Sequence, residues 1–362
     1  MGIDNNLAVG ERHILISVTV RMWLFFYASE IIGCPRHRFE DGRSFRYMMF
    51  KQSILWLSIL ALGLYVGILI IIGKVQAVDQ THCAQDMNSR NVCLNSEYPK
   101  IISLAPGSTE LLFAAGAGKQ VISVDDHSDF PEIVEQLPSV GGFPNVNVEA
   151  IVKMKPDLVV IWDGGNSLKV TQQLESLGIT TFHLDAVNFQ DIEQAILSLG
   201  DIAGTSAKAR KSVDEFHRRL EQLSQQYKQR DPVSVFFELW RSPLMTVGSG
   251  ILIDEVISLC GGYNIFADIN QKIPIVGIES IIARNPQVII GSNPKGNTPE
   301  SQKDMQTYWK QWSDLDAVKN SQLYALPSDL IARISPRILD AAEIMCEQFQ
   351  AVRHRKTTTS HQ

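Results

Sequence analysis

The sequence predicts an α/β protein of two similar lobes joined by one long helix. From Lys100 onward, short β-branched runs alternate with amphipathic stretches, a pattern typical of parallel sheets covered by helices. Residues 148–160 resemble residues 278–290, and a repeat about 130 residues apart indicates two lobes instead of a solenoid, whose period is ~20–50 residues. Residues 206–229 contain neither Gly nor Pro, so a continuous helix is expected between the lobes.

Composition and charge bound the class of protein. The 362 residues carry 33 Lys and Arg against 39 Asp and Glu, a net charge of −6, and 45% are hydrophobic, which suits a folded protein of about two domains. A net acidic chain lacks the basic surface that a phosphate backbone requires, so nucleic acid is not an expected partner. The charge is uneven, because residues 1–77 hold eight bases and five acids and leave the remainder strongly acidic.

An apolar leader precedes the acidic body. Between Lys51 and Lys74 the chain runs for 22 residues without charge, enough for a helix to cross a hydrocarbon layer of ~30 Å. The bases before this run favour a cytoplasmic N-terminal side and export of everything after Lys74 to the periplasm. Residues 48–77 are therefore predicted to be a signal peptide cut after the small residues of 75–77, or an uncleaved anchor that tethers the protein to the inner membrane.

Residues 1–47 have two interpretations. Met48 and Met49 stand directly before the apolar run, so a conventional export signal can begin there and residues 1–47 would be an upstream extension with a misassigned start. A genuine cytoplasmic tail, or a first apolar helix around residues 14–32, is the alternative.

Residues 78–99 are polar and irregular, and a tether between membrane and domain is expected there. Cys34 lies in the leader, which leaves four cysteines in the exported part, an even number that suits an oxidising compartment. Cys83 and Cys93 could close a small loop in the tether, although nearness in sequence does not establish pairing. No lipoprotein motif precedes Cys83, so lipid anchoring is not indicated.

The body divides into a first lobe over residues 100–205, a linking helix over 206–230, a second lobe over 231–353 and a flexible tail over 354–362. The predicted strands are 101–104, 121–124, 158–161, 181–184, 233–239, 288–291 and 323–325. The predicted helices are 110–115, 148–153, 169–177, 189–203, 252–259, 278–283 and 336–352. In both copies of the repeat, a short helix opened by an acid is stopped by a Pro before a buried strand.

The order and spacing of several short motifs carry a family resemblance. They are Ile102–Pro106 with Thr109–Leu111, Ser128–Pro131, Lys155–Trp162 with Gly164–Asn166, Cys260–Gly262 with Asn264–Phe266, Ala283–Arg284 with Pro286–Gln287, and Ser328–Asp329 with Arg333 and Ser335–Arg337. From residue 100 to about 352, the chain resembles the helix-linked, class III periplasmic substrate-binding proteins of ABC importers for cobalamin, siderophores and haem, and most of all their cobalamin-binding members. The resemblance implies a chelatase-like fold of two Rossmann-like lobes with a ligand cleft between them.

The resemblance also implies a protein that captures a ligand and performs no chemistry. The expected ligand is cobalamin or a related corrinoid, with no catalytic cofactor and no metal site. A monomer would deliver this ligand to an inner-membrane ABC permease and its ATPase. Cys260 and Cys346 fall where the family has a disulfide. Glu149 and Glu279, equivalent in the repeat, match acids with which the family docks on permease arginines; without the family, each is a helix N-terminal acid favoured by the helix dipole.

The cleft residues are carried over one position at a time. Trp162 ends a predicted strand, where ligands of open α/β sheets lie, and an aromatic face suits a flat amphipathic macrocycle. A core Trp, and a plain surface pair of Asp329 with Arg333, are the alternatives. The predicted ligand-binding residues are Pro106, Gly107, His127, Phe143, Trp162, Trp240, Met245, Ile275, Asp329 and Arg333.

Four of these positions depart from the family pattern. His127 replaces a tyrosine, Ile275 a tryptophan and Met245 a phenylalanine, which weakens cobalamin as the ligand but not the class. Trp240 stands where the family has a small residue and, close to Met245, would restore aromatic surface. His127 could coordinate a metal together with the acids of 125–129, although an exposed loop histidine is the preferred interpretation.

Two rival functions follow from these features. An exported hydrolase would need a nucleophile elbow, a His-Glu-x-x-His motif or a phosphate loop, and the sequence contains none of them. Haem or a ferric siderophore is the alternative ligand within the class. Siderophore sites recruit several cations, whereas the matched cleft offers mainly Arg333, and a haem site would use His127.

Overall fold

The computed structural model describes residues 57–65, 81–296 and 298–359, with side chains up to residue 355. Residues 57–65 are helical and exposed. The predicted extension over 1–47 and most of the predicted signal or anchor over 48–77 lie outside the described residues, so both stay predictions. Among the helices of the described residues, none is long and apolar enough to span a bilayer.

From residue 81 onward the chain forms twelve strands and eleven α-helices among the described residues. The strands are β1 (His82–Gln85), β2 (Asn91–Leu94), β3 (Ile101–Ser103), β4 (Val121–Ser123), β5 (Leu158–Trp162), β6 (Thr181–Leu184), β7 (Val233–Glu238), β8 (Trp240–Arg241), β9 (Leu244–Met245), β10 (Gly262–Asn264), β11 (Val288–Asn293) and β12 (Leu323–Pro327). The helices are α1 (Pro106–Ala114), α2 (Val148–Met154), α3 (Leu168–Ser176), α4 (Phe189–Ile202), α5 (Ser206–Tyr227), α6 (Leu252–Leu259), α7 (Ile278–Arg284), α8 (Pro299–Trp309), α9 (Asp316–Lys319), α10 (Ser328–Ile331) and α11 (Ile338–Thr359).

Each lobe is built on a four-stranded parallel sheet. Parallel sheets were predicted, but the prediction of three strands for the second lobe missed β10. The strand order is β4-β3-β5-β6 in the first lobe and β10-β7-β11-β12 in the second. The repeat supplies the third strand of each sheet, together with the short helix before it. Both helices, α2 and α7, end at a residue with positive φ, Lys155 at 49° and Asn285 at 39°, because the Pro that follows cannot continue a helix.

Successive residues along a strand point alternately into two apolar layers, as expected when both faces of a sheet are covered. In β5, Leu158 and Val160 belong to a core that contains residues of both lobes, called here the shared core. Val159 and Ile161 point the other way, into an apolar layer made of first-lobe residues. In β11, Val288 and Ile290 likewise face the shared core, and Ile289 faces an apolar layer made of second-lobe residues. The shared core runs through the linking helix, α5, whose Ala209, Phe216 and Leu223 are buried in it.

The prediction of an irregular tether over 78–99 is wrong for residues 82–94. They form an antiparallel hairpin of β1 and β2, in which Cys83 lies directly opposite Cys93 and is bonded to it. The hairpin packs on the first lobe because Ala84, Val92 and Leu94 are buried in the shared core. Its exposed face is polar, which concealed the alternation of the strands in the sequence.

The prediction of a flexible tail over 354–362 is wrong for residues 354–359. The last helix, α11, continues to Thr359, since residues 338–359 contain no Gly or Pro. The guanidinium of Arg355 donates to the carbonyl of Asn320 at 3.1 Å and holds the last turns against the second lobe. Residues 360–362 lie outside the described residues.

A second disulfide ties α6 to the C-terminal helix. Cys260 and Cys346, both fully buried, are bonded as the family resemblance implied. Close by, the guanidinium of Arg353 donates to the carbonyls of Cys260 and Gly261, which follow α6, at 2.8 and 3.0 Å, and to that of Asp231, before β7, at 2.8 Å.

The two disulfides should differ in their contribution to stability. Cys260 and Cys346 are 86 residues apart and Cys83 and Cys93 only 10, and closing the longer loop restricts the unfolded chain more. We expect the double alanine variant of Cys260 and Cys346 to lose about 4–5 kcal/mol of unfolding free energy, and that of Cys83 and Cys93 no more than about 3 kcal/mol. Urea denaturation without reductant measures both; equal losses would contradict the loop-closure argument.

Candidate functional site

An apolar pocket lies between the lobes at the carboxyl end of the first sheet. The N-terminal turn of α1 with Pro106 and Gly107 forms one wall, Trp162 another, and residues 332–334 of the second lobe the third. The cavity holds about 160 Å³. A Cβ atom on Gly107 would lie 2.9 Å from the carbonyl oxygen of Ile334, so only glycine allows the two lobes to approach so closely here.

Trp162 is the largest side chain of this pocket, and it is partly exposed. Its ring lies against Gly164 and Gly165, and a Cβ atom on Gly164 would come within 2.8 Å of the indole nitrogen. The loop is fixed by Asn166, which accepts from the Trp162 amide at 2.7 Å and donates to the carbonyl of Leu104 at 2.8 Å. The indole Nε1 is buried without a hydrogen-bond partner among the described residues.

A second cavity adjoins the first at Trp162. It holds about 300 Å³ and shares Trp162, Ala186, Ala332 and Ile334 with the first. At its rim the Nζ of Lys272, from the second lobe, lies 3.9 Å from a carboxylate oxygen of Asp185, from the first. Both charged side chains are largely exposed, so the pair contributes little to stability.

Arg333 is held by acids from both lobes. Its guanidinium donates to Asp129 at 2.5 and 3.2 Å and to Glu110 at 3.2 Å, and Asp329 lies 3.4 Å away. Burial lowers the pKa of Arg333, but the hydrogen bonds to Asp129 and Glu110 outweigh burial and raise it overall. The predicted pair of Asp329 and Arg333 is therefore one part of a larger cluster.

Glu110 is the buried centre of this cluster. Its carboxylate accepts from Arg337 at 2.5 and 2.9 Å as well as from Arg333, and the Arg337 guanidinium stacks on Phe130 at 4.0 Å. Glu110 and Phe130 belong to the first lobe and both arginines to the second, so the cluster joins the lobes beside the pocket. The hydrogen bond from Arg333 also lowers the pKa of Asp129, so this pair stabilises the fold above the ordinary carboxyl pKa and is lost as the pH falls through the lowered value.

The second lobe presents a row of three predicted ligand-binding residues. Trp240 in β8 pairs with Met245 in β9, and Met245 forms a bridge with Ile275. Trp240 and Ile275 are 63% and 67% exposed, which leaves their apolar surface available for contact. The structure thus brings Trp240 beside Met245, as the departures from the family pattern suggested.

The turn that carries Trp240 is fixed by a buried acid. Glu238 accepts from the Trp309 indole at 2.6 Å and from the Arg241 guanidinium at 2.9 Å. Burial raises the pKa of Glu238, and the bonds from Arg241 and Trp309 offset only part of that effect. Arg241 also donates to Asp304 at 2.8 Å, so the base of the β8–β9 hairpin is held from two sides.

His127 and Phe143 lie together on the first lobe, outside the pocket. Both are exposed, and Gly142 lies against the His127 ring. The His127 carbonyl accepts from Arg333 at 3.5 Å, which connects this loop to the cluster. The neighbouring acids are engaged, since Asp125 accepts from the hydroxyl of Ser128 and Asp129 pairs with Arg333.

Glu149 and Glu279 are exposed near the N-termini of the equivalent helices α2 and α7. Neither forms an ion pair with another described residue. The geometry therefore repeats the same acid on both lobes, as the internal repeat predicted.

Sequence reasoning assigned no role to Glu110 or Arg337, and considered Asp129 only as a candidate metal ligand beside His127, not as a partner of Arg333. A signal was present, because Glu110 stands inside the apolar stretch of α1, and a buried acid requires a paired cation. The partners are more than 200 residues away, and only the fold brings them together.

Two parallel α/β lobes on one linking helix, with an apolar pocket at the carboxyl ends of the strands, define a two-lobed ligand-binding protein. Residues 101–330 match the family model described as periplasmic binding protein. A vitamin B12-binding protein of Vibrio cholerae serotype O1 is 36% identical over 248 residues, which cover 68% of this chain and 87% of that protein. The chain therefore belongs to the periplasmic binding protein family.

Solved structures agree with this assignment. The crystal structure of the periplasmic vitamin B12 binding protein of Vibrio cholerae matches with a TM-score of 0.64 at 34% identity, over 71% of this chain and 98% of that one. The periplasmic haem-binding protein HutB of Vibrio cholerae matches with a TM-score of 0.61 at 22% identity, over 70% and 99%, and shares the fold alone.

Replacing Glu110 should destabilise the protein strongly. In Glu110→Gln, two partly buried arginines lose the anion between them, and we expect a loss of about 3–5 kcal/mol in unfolding free energy. Chemical denaturation measures the loss. Glu215→Gln, which removes an exposed acid paired within one helix, is the control and should change little. Equal stability of both variants would exclude Glu110 as a tie between the lobes.

Proposed function

We propose that this chain captures cobalamin or a related corrinoid in the periplasm and delivers it to the permease of an ABC importer. The match to vitamin B12-binding proteins over 248 residues is the observation that carries the proposal. The chain acts by binding alone and performs no chemistry on its ligand. It works as a monomer, because one chain supplies both walls of the cleft.

The cleft suits a large, flat, amphipathic ligand. A corrin macrocycle with its side chains is larger than either cavity, so its edge enters the pocket beside Trp162 while its face lies over exposed surface at the rim. Phe143 on the first lobe, and Trp240 with Ile275 on the second, supply that apolar surface. The exposed carboxylates of Asp129 and Asp329 beside Arg333 provide polar groups for amide side chains.

Haem is the second candidate ligand. His127 is exposed on the first lobe outside the pocket, and a neutral imidazole coordinates iron. An anionic siderophore suits the site less well, because three carboxylates already surround the Arg333 guanidinium. The role of His127 therefore distinguishes a haem-binding protein from a corrinoid-binding protein of the same class.

Calorimetric titration of the exported body with cyanocobalamin, haemin and a panel of ferric siderophores tests the ligand. We expect tight stoichiometric binding of cyanocobalamin, with a spectral change that shows no turnover. Tight binding of haemin, with millimolar or weaker binding of cyanocobalamin, would assign the protein to haem. His127→Ala separates the two, since it should abolish haemin coordination and leave most of the affinity for cyanocobalamin.

Removing the Trp162 ring should weaken binding directly. For Trp162→Ala we expect cyanocobalamin affinity to fall by roughly 1–3 kcal/mol, because a buried aromatic contact is lost. Tyr263→Ala removes an exposed aromatic ring of the second lobe, in β10, that lines neither cavity, and serves as the control. An unchanged dissociation constant in folded Trp162→Ala would remove this residue from the site.

We further propose that Glu149 and Glu279 dock on cationic groups of the permease. Both acids are exposed, unpaired among the described residues and equivalent in the repeat, which suits a partner that presents two similar surfaces. Surface charges of this kind favour orientation and association rate more than affinity.

The double variant Glu149→Ala with Glu279→Ala should bind cyanocobalamin normally and support little transport in cells or in vesicles that contain the importer. The control replaces Glu135 and Asp314, exposed acids of the first and second lobe outside these helices, with alanine. Transport at the control level in the docking variant would exclude this role.

A further inference from the structure

We propose that Asp163 is a positioning residue for Trp162, and that the N-terminal hairpin, through Asn88, forms part of the support of the binding site. The affinity effect rests on the proposed function, because it is measured with cyanocobalamin. The structural effect on Trp162 does not depend on any ligand. The hairpin would then act on the binding site from outside the cleft.

Asp163 directly follows Trp162 and is held at three points. Its amide donates to the carbonyl of Leu184 at 3.0 Å, and one carboxylate oxygen accepts from the Asn88 side chain at 2.7 Å. The other oxygen lies 2.6 Å from Nδ1 of His183. An ionised carboxylate only accepts, so Nδ1 is the donor. The chain after Trp162 is thereby fixed to the edge strand β6 and to the hairpin.

The hairpin itself is firmly attached where it meets Asp163. Met87 donates its amide to the carbonyl of His183 at 3.1 Å, and Asp86, which is buried, accepts from the amides of Asn88 and Arg90. Arg90 donates to Glu175 at 2.7 Å and to the carbonyl of Thr181 at 3.1 Å. These bonds anchor the loop that presents Asn88 to β6, the edge strand of the first sheet.

The Trp162 ring depends on the loop that Asp163 starts. Gly164 and Gly165 lie against the ring so closely that side chains there would collide with it. The indole N–H has no partner among the described residues, so no hydrogen bond of its own orients the ring. A shift of residues 163–165 would therefore change the rotamer of Trp162, while the strands beneath remain in place.

The first measurement needs no ligand. Acrylamide quenching of Trp162 is obtained as the difference between each protein and its Trp162→Phe counterpart. We expect Asn88→Ala and His183→Ala to increase this quenching, and His183→Asn, which can restore a donor near Nδ1, to reverse much of the change. Asn91→Ala is the matched control, because Asn91 is an exposed asparagine of the same hairpin that contacts Cys93 and not Asp163. Quenching of Trp162 that is the same in all variants would overturn the proposal.

The second measurement is a double-mutant cycle with cyanocobalamin. Asn88→Ala should weaken binding roughly fivefold in the native background and have no effect when Trp162 is already alanine, because its action passes through that ring. An equal loss in both backgrounds would show that Asn88 does not act through Trp162. If the native protein did not bind cyanocobalamin, the proposed function would fail, while the quenching series would still decide the positioning role.

Discussion

One apolar layer shared by both lobes constrains the rest of the structure. One face of each sheet packs into it, and α5 passes through it with Phe216 and Leu223 buried. Any large rotation of one lobe against the other would expose this layer to water, at a cost proportional to the apolar area. The cleft is therefore preformed by the core, and the pocket residue Trp162 is placed by the end of β5 instead of by a mobile hinge.

Charged groups lie where this core ends, and burial dictates their arrangement. Glu110 is surrounded by Arg333 and Arg337, and Glu238 by Arg241 and the Trp309 indole. A buried carboxylate is tolerated only with such partners, so each acid fixes the segment that supplies its cation. Through these bonds, Glu110 holds residues 333–337 beside the pocket and Glu238 holds the turn that presents Trp240.

The sequence pattern predicted most strands of the two parallel sheets, because runs of apolar residues that cover both faces are visible in strands such as β5 and β11. It failed for the β1–β2 hairpin, whose polar face hid the pattern, and for the last turns of α11, where charged residues suggested a tail. Trp162 and Arg333 came from family resemblance. The partners of Glu110 and Asp163 could not be found, since contacts between residues 20 to more than 200 positions apart depend on the complete fold.

The internal repeat is kept on one surface and broken on another. At a spacing of 130 residues, Glu149 corresponds to Glu279, and both are exposed on equivalent helices. With the same spacing, Trp162 corresponds to Ser292 and Asp163 to Asn293 in the repeat. The second lobe therefore has no tryptophan at the position equivalent to Trp162. The aromatic residue proposed for the ligand on the second lobe, Trp240, follows a different strand, β7. Equivalent helices suit a partner with two similar surfaces, whereas unlike cleft walls suit a ligand whose two faces differ.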